Sequence, residues 1–120
     1  MIRTMLVCTT LALIALSAPG LAQVNGAAAF RQRCSSCHAL KPTAGKMAGP
    51  LGGVVGRKAG SATGARSSRA LVAWGRTWNR PNLEAYLASP TRTVPGTTMV
   101  IGLSDAAARK AIIDYLAAQK

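Results

Sequence analysis

Cys34, Cys37 and His38 stand together in the run Cys34-Ser35-Ser36-Cys37-His38. Two thiols separated by two residues can each add across one vinyl group of a haem. The imidazole that follows is then presented to the iron from the same side. Three other chemistries use cysteines at this spacing. A disulfide is the ordinary fate of paired cysteines outside the cytosol, but so close a pair would close a short, strained loop. A thioredoxin-like redox pair needs a βαβ setting, and the surrounding sequence is not rich in strand formers. Zinc needs about four protein ligands, yet His38 is the single histidine of the chain and the third cysteine, Cys8, lies in an apolar leader. The spacing points to one covalent haem with His38 on its iron.

A second axial ligand must come from elsewhere. Met47 and Met99 are the candidates, with lysine as an outside choice. Met47 follows His38 too closely to swing to the opposite haem face. Met99 lies far along the chain, toward the end of Pro95-Gly96-Thr97-Thr98-Met99. Proline and glycine set that loop in a defined turn, so Met99 is the expected ligand. A thioether there stabilises reduced iron and raises its potential.

The elements that position these residues begin after a leader. Residues 1–22 read as a secretory signal. Arg3 is its positive start, Leu6 to Leu16 its uncharged apolar stretch, and Gly20 and Ala22 its small-residue cleavage site. The apolar stretch is shorter than the roughly 20 residues that span a bilayer, so cleavage after Ala22 is expected to leave residues 23–120 as a single exported domain with no stable membrane insertion. Arg3 goes with the leader, and the net charge falls from +12 to +11. The remaining acids are Glu84, Asp105 and Asp114. Such a surface attracts anionic lipid, polyanions or an acidic protein face. No recognised nucleic-acid motif or aromatic-basic interleaving is present, and an exported chain rarely meets nucleic acid. Acidic-faced redox proteins are the expected partners.

The pattern is all-α. A first helix opens at Asn25-Gly26 and runs to about Cys37, with Phe30 and Cys34 on one face. From Ala39 to Thr77 glycines interrupt the pattern, and Ser67 to Trp74 is the one short helix expected there. So long an irregular stretch is unusual in a compact domain and fits a chain wrapped around a large cofactor. Asn79 or Asn82 caps a helix to about Ala88, with Leu83, Tyr86 and Leu87 inward. Ser89-Pro90 ends it, and Thr91 to Gly102 is a loop. Ser104 is the expected cap of a last helix, Asp105 to about Gln119, with Ala108, Ile112, Tyr115 and Leu116 inward.

With these residues in place, the chain resembles the class I cytochrome c family, of the mitochondrial and bacterial c2-like kind. Gly26 and Phe30 are similar to that family's N-terminal helix pair, packed on an aromatic of the last helix, here Tyr115. Gly49-Pro50 and Leu51 to Gly60 resemble its Gly-Pro loop, Leu83 to Pro90 its third helix, and Pro95 to Met99 its methionine loop. The resemblance implies a small cytochrome c fold, about three main helices with long loops around one haem c. It implies a monomeric one-electron carrier, not an enzyme, working in the periplasm. It also implies roles. The Pro50 carbonyl would accept the His38 ring N–H. Arg57 and Trp78 would face one haem propionate and Thr97 the other, and Tyr86 would lie beside the Met99 sulfur.

Some positions depart from the family pattern. The stretch from Pro50 to Arg57 is one residue short. Ala65-Arg66-Ser67-Ser68 stands where a Phe-x-Tyr-Ser segment is usual, Leu71 where an asparagine often supports an internal water, and Ile101 where an aromatic is common. A less buried propionate region is expected, with Arg66 and Arg69 as electrostatic compensation. Arg33 and Arg92 resemble basic residues of a docking ring, whereas Thr98 and Asp105 interrupt it. Two other functions remain open on the sequence. One is an electron-transfer subunit of a periplasmic dehydrogenase or sulfur-oxidising complex; the other is a haem gas sensor with an open iron site.

Overall fold

The computed structural model describes residues 24–62 and 65–120. The expected leader, residues 1–22, lies outside them.

Asn25 caps α1 (Gly26–Arg33), its side chain accepting from the Ala28 N–H at 3.0 Å. The helix is shorter than the sequence pattern suggests. It closes at Cys34, and residues 34–37 continue as hydrogen-bonded turns. Ser68 caps the short α2 (Arg69–Trp74), which stops at Gly75 in the left-handed region, φ 52. Asn79, not Asn82, caps α3 (Arg80–Ala88). The Asn82 side chain instead donates to the Thr77 carbonyl at 2.8 Å. Ser89 ends α3 as expected, but Pro90 then starts a further single turn, α4 (Pro90–Thr93). Proline lacks a donor that the first turn does not need, so the residue that stops one helix opens another. The last helix, α5 (Ala106–Ala117), is capped by Asp105 rather than Ser104. The Asp105 carboxylate accepts from Ala107 and Ala108 N–H, one residue later than predicted. An anionic cap is also favoured by the helix dipole.

Between these helices the chain is held by loop-to-loop bonds. Ala39 and Leu40 carbonyls accept from Leu51 and Gly52 at 2.9 and 2.8 Å. Farther on, the Trp78 N–H donates to the Arg57 carbonyl at 2.8 Å and the Trp78 carbonyl accepts from the Gly56 N–H at 2.7 Å, beside an isolated bridge between Lys58 and Thr77.

The core gathers Phe30, Val54, Trp78, Leu83, Tyr86, Val94, Ile112, Ile113 and Leu116. Helices α1 and α5 cross at Gly26, where an added Cβ would sit 2.4 Å from the Ala111 carbonyl oxygen and 2.8 Å from the Tyr115 Cβ. One turn on, the Phe30 and Tyr115 rings pack tilted at 5.6 Å. Ile113 is buried as deeply as its neighbours on α5, whereas Tyr115 keeps part of its surface in solvent.

Arg109 joins α5 to α3 and to the segment before α5. Its guanidinium pairs with Glu84 at 2.6 Å and donates to the Leu103 and Ser104 carbonyls at 2.7 and 3.0 Å. Arg109→Ala is expected to cost about 1.5–3 kcal/mol, because charge-assisted bonds are lost and carbonyls left without their donor. Lysine restores little of this, its ammonium being a compact point charge rather than a planar fork. Thermal midpoints of the two variants check both statements.

Candidate functional site

The Cys34–His38 run is coiled by its own backbone. The Cys34 N–H bonds back to the Phe30 carbonyl at 2.8 Å, and the His38 N–H to the Cys34 carbonyl at 2.9 Å. These turns set Cys34, Cys37 and His38 on successive steps of one coil. The Lys46 ammonium donates to the Ser35 carbonyl and ties the following loop to it. Neither thiol is in a disulfide, and both are half-buried. Burial pushes the Cys34 thiol up, keeping it neutral.

The His38 Nδ1 lies 2.7 Å from the Gly49 carbonyl oxygen. A carbonyl can only accept, so Nδ1 carries the proton and the Nε2 lone pair is available to a metal. The acceptor expected from the sequence was the carbonyl of Pro50, one residue along. That oxygen is instead taken by the Arg57 guanidinium at 2.8 Å, which also reaches the Gly52 carbonyl at 3.2 Å. The loop from Pro50 to Arg57 is tight enough for its arginine to fold back on its start. No side-chain signal marks a main-chain acceptor, so the sequence did not distinguish Gly49 from Pro50. Gly49 is closely packed: an added Cβ would meet the Ala65 Cβ at 2.7 Å.

The second half of the site hangs on α3 and the turn after α4. Val94 to Thr97 form a β-turn closed by a 3.0 Å bond from the Thr97 N–H to the Val94 carbonyl. Pro95 occupies its second place and Gly96, at φ 88, its third, the pattern of a type II turn. The turn buries Thr97, whose hydroxyl meets the Tyr86 phenol at 2.6 Å. Tyr86 in turn packs at a tilt against Trp78, with ring centroids 4.9 Å apart. Met99 is half-buried against the same apolar cluster as Cys34. Met47, by contrast, is 83% exposed. Leu71, in place of an asparagine, packs on the cluster. Arg33, Arg66, Arg69 and Arg92 are all exposed.

Burial pushes the Tyr86 phenol above its ordinary range, and the Thr97 bond opposes this in part. A raised pKa means that the fold disfavours the phenolate. Stability is then level below the ordinary phenol value of about 10 and falls as pH climbs through and beyond it. Tyr86→Phe is expected to flatten this alkaline loss, as read from denaturation midpoints across that range.

Comparison with known proteins agrees with this geometry. No family-level sequence model matches the chain. Cytochrome c2 of Rhodomicrobium vannielii is 43% identical over 80% of this chain and 78% of its own length. Cytochrome c type-1 of Ascaris suum is 39% identical over 77% of this chain and 83% of its own. The chain belongs to the class I cytochrome c family. As a cytochrome c it carries one covalent haem c and transfers single electrons between redox partners, and it is not an enzyme. Among solved structures, cytochrome cH from Methylobacterium extorquens matches with a TM-score of 0.71 and 41% identity, over 78% of this chain and 95% of that one. The all-α cytochrome c architecture expected from the sequence is thereby borne out. The donor set suits the haem: two thiols not bonded to each other, followed by an imidazole whose tautomer leaves Nε2 to the iron.

Proposed function

We propose that Cys34 and Cys37 hold the haem through thioethers and that His38 and Met99 ligate its iron. The bound haem supplies a one-electron couple; the chain supplies everything that sets it. Gly49 accepts the Nδ1 proton of His38, which fixes the ring and raises its basicity as a ligand. Pro50 and Gly52 anchor Arg57, so its positive charge is held in place for a haem propionate. Trp78 and Tyr86 wall the cofactor, and Thr97 orients the Tyr86 hydroxyl.

The observation that carries this reading is the His38–Gly49 bond beside two unlinked thiols. A disulfide has no need of an imidazole locked in one tautomer, and zinc needs about four protein ligands, whereas the described residues hold no cluster of His, Cys, Asp and Glu that could bind it. The wider reading is a monomer released from residues 1–22 into the periplasm, exchanging electrons with acidic-faced proteins. Among the described residues no helix is long and apolar enough to cross a membrane. The three acids are all engaged, Glu84 by Arg109, Asp114 by Arg80 and Lys110, and Asp105 as a helix cap. Asp114 is held below the usual carboxylate range by its Lys110 and Arg80 bonds. The remaining cations stay available to steer an acidic partner.

A redox-titrated visible spectrum of the chain expressed with its leader in a bacterial periplasm tests the reading. We expect c-type bands that resist acid extraction, a sulfur–iron charge-transfer band in the oxidised form, and an intact mass starting at Gln23. Haem that extracts freely, or a mass retaining residues 1–22, would count against it.

A further inference from the structure

Trp74 has no part in the site described above, yet it is joined to it. Its ring lies 5.0 Å from Trp78, which lies 4.9 Å from Tyr86. Tyr86 and Trp78 are each only 6% exposed, while Trp74, at the end of α2, reaches solvent. The Arg76 guanidinium stands 5.7 Å over the Trp74 ring. Three oxidisable rings in contact thus run from the interior to the surface.

We infer that Tyr86, Trp78 and Trp74 form a relay that carries an electron vacancy out to Trp74 when the reduced carrier meets a hydroperoxide. The inference rests on the haem reading above, in which Tyr86 walls the cofactor. A hydroperoxide takes two electrons and two protons as its O–O bond breaks, giving an alcohol and water. The bound haem, a one-electron couple, would supply one of these electrons. The second must come from the protein, and unrelayed it would be drawn from a buried side chain. Electronic coupling falls steeply with separation, so rings in contact exchange electrons readily. The electron finally lost is Trp74's. The Arg76 charge opposes a cation on that ring, so its indole N–H proton passes to water and a neutral radical is left at the surface. Solvent supplies the other proton. A small reductant can then refill Trp74 without entering the core.

The test treats the reduced, haem-loaded protein with cumene hydroperoxide and a spin trap, then maps adducts by peptide mass spectrometry. We expect the adduct on Trp74. Trp78→Phe, which keeps an aromatic ring but one harder to oxidise, should lower the Trp74 adduct several-fold. Trp74→Phe should move adducts to Trp78 and Tyr86 and hasten haem bleaching several-fold. An unchanged Trp74 adduct in Trp78→Phe would mean direct attack from solution and overturn the relay, as would unaltered bleaching in Trp74→Phe. The starting absorbance reports haem attachment separately. A chain without haem therefore counts against the earlier reading, and a haem-loaded chain without a Trp74 adduct counts against this one.

Discussion

Met99→Ala is expected to abolish the sulfur–iron charge-transfer band and to lower the reduction potential by a large part of the roughly 0.8 V over which axial ligands move haem proteins. A thioether is a soft donor that favours reduced iron; water or hydroxide in its place favours the oxidised form. The same variant should bind carbon monoxide readily once reduced, because a coordination position opens. Met47→Ala should do none of this. Met47 is 83% exposed, whereas Met99 packs against the cluster that also receives Cys34. The type II turn at Pro95-Gly96 and the bond from the Leu103 N–H to the Leu87 carbonyl, at 2.7 Å, hold the Met99 segment at both ends. Spectra and potentiometry of the two variants decide the matter. An unchanged band and potential in Met99→Ala would require another ligand.

Gly26→Ala sets two effects of opposite sign against each other. Alanine is favoured over glycine in a helix by about 1 kcal/mol, and propensity alone predicts a more stable protein. The new methyl would lie 2.4 Å from the Ala111 carbonyl oxygen and 2.8 Å from the Tyr115 Cβ. Neither atom belongs to the flexible end of a side chain, so α1 and α5 must separate. Overpacking of this kind costs about 1–3 kcal/mol, and separation also loosens the Phe30–Tyr115 pair, worth about 0.5–1.5 kcal/mol. The steric term wins, and a net loss of about 1–3 kcal/mol is expected. In a domain of this size each kcal/mol lowers the melting temperature by roughly 4–8 °C. Thermal melts of the haem-loaded variant and its parent read the difference directly. Equal or greater stability in Gly26→Ala would show that the helix crossing is not as close as described.

The sequence showed most plainly those features that side-chain type announces. Cys34, Cys37 and His38 are legible because only a few chemistries use them at that spacing. The inward faces of α3 and α5 follow from apolar periodicity, and the packing of Gly26 and Phe30 on the last helix from the resemblance to the cytochrome c family. Features decided by the main chain were harder to see. Pro90 both ends α3 and opens α4, and nothing in its side chain says which role prevails. Asp105 and Ser104 are equally good caps by type; the structure selects Asp105, which satisfies two N–H groups. The Gly49 carbonyl looks like any other until the loop closes. Trp74 was read as the end of a short helix because its contact with Trp78 depends on how α2 lies across the chain.

The His38–Gly49 bond has a consequence for how such a protein can change over generations. Its acceptor is a peptide oxygen, so no exchange of side chain at position 49 deletes it; a substitution can only displace it. The immediate obstacle to any bulk there is the Ala65 methyl, on a stretch that makes no bond to His38 itself. Selection thus meets a graded control rather than an on–off one. With His38 as the proposed ligand, its push on the iron would be adjustable by small volume changes in a loop that carries none of the proposed ligands.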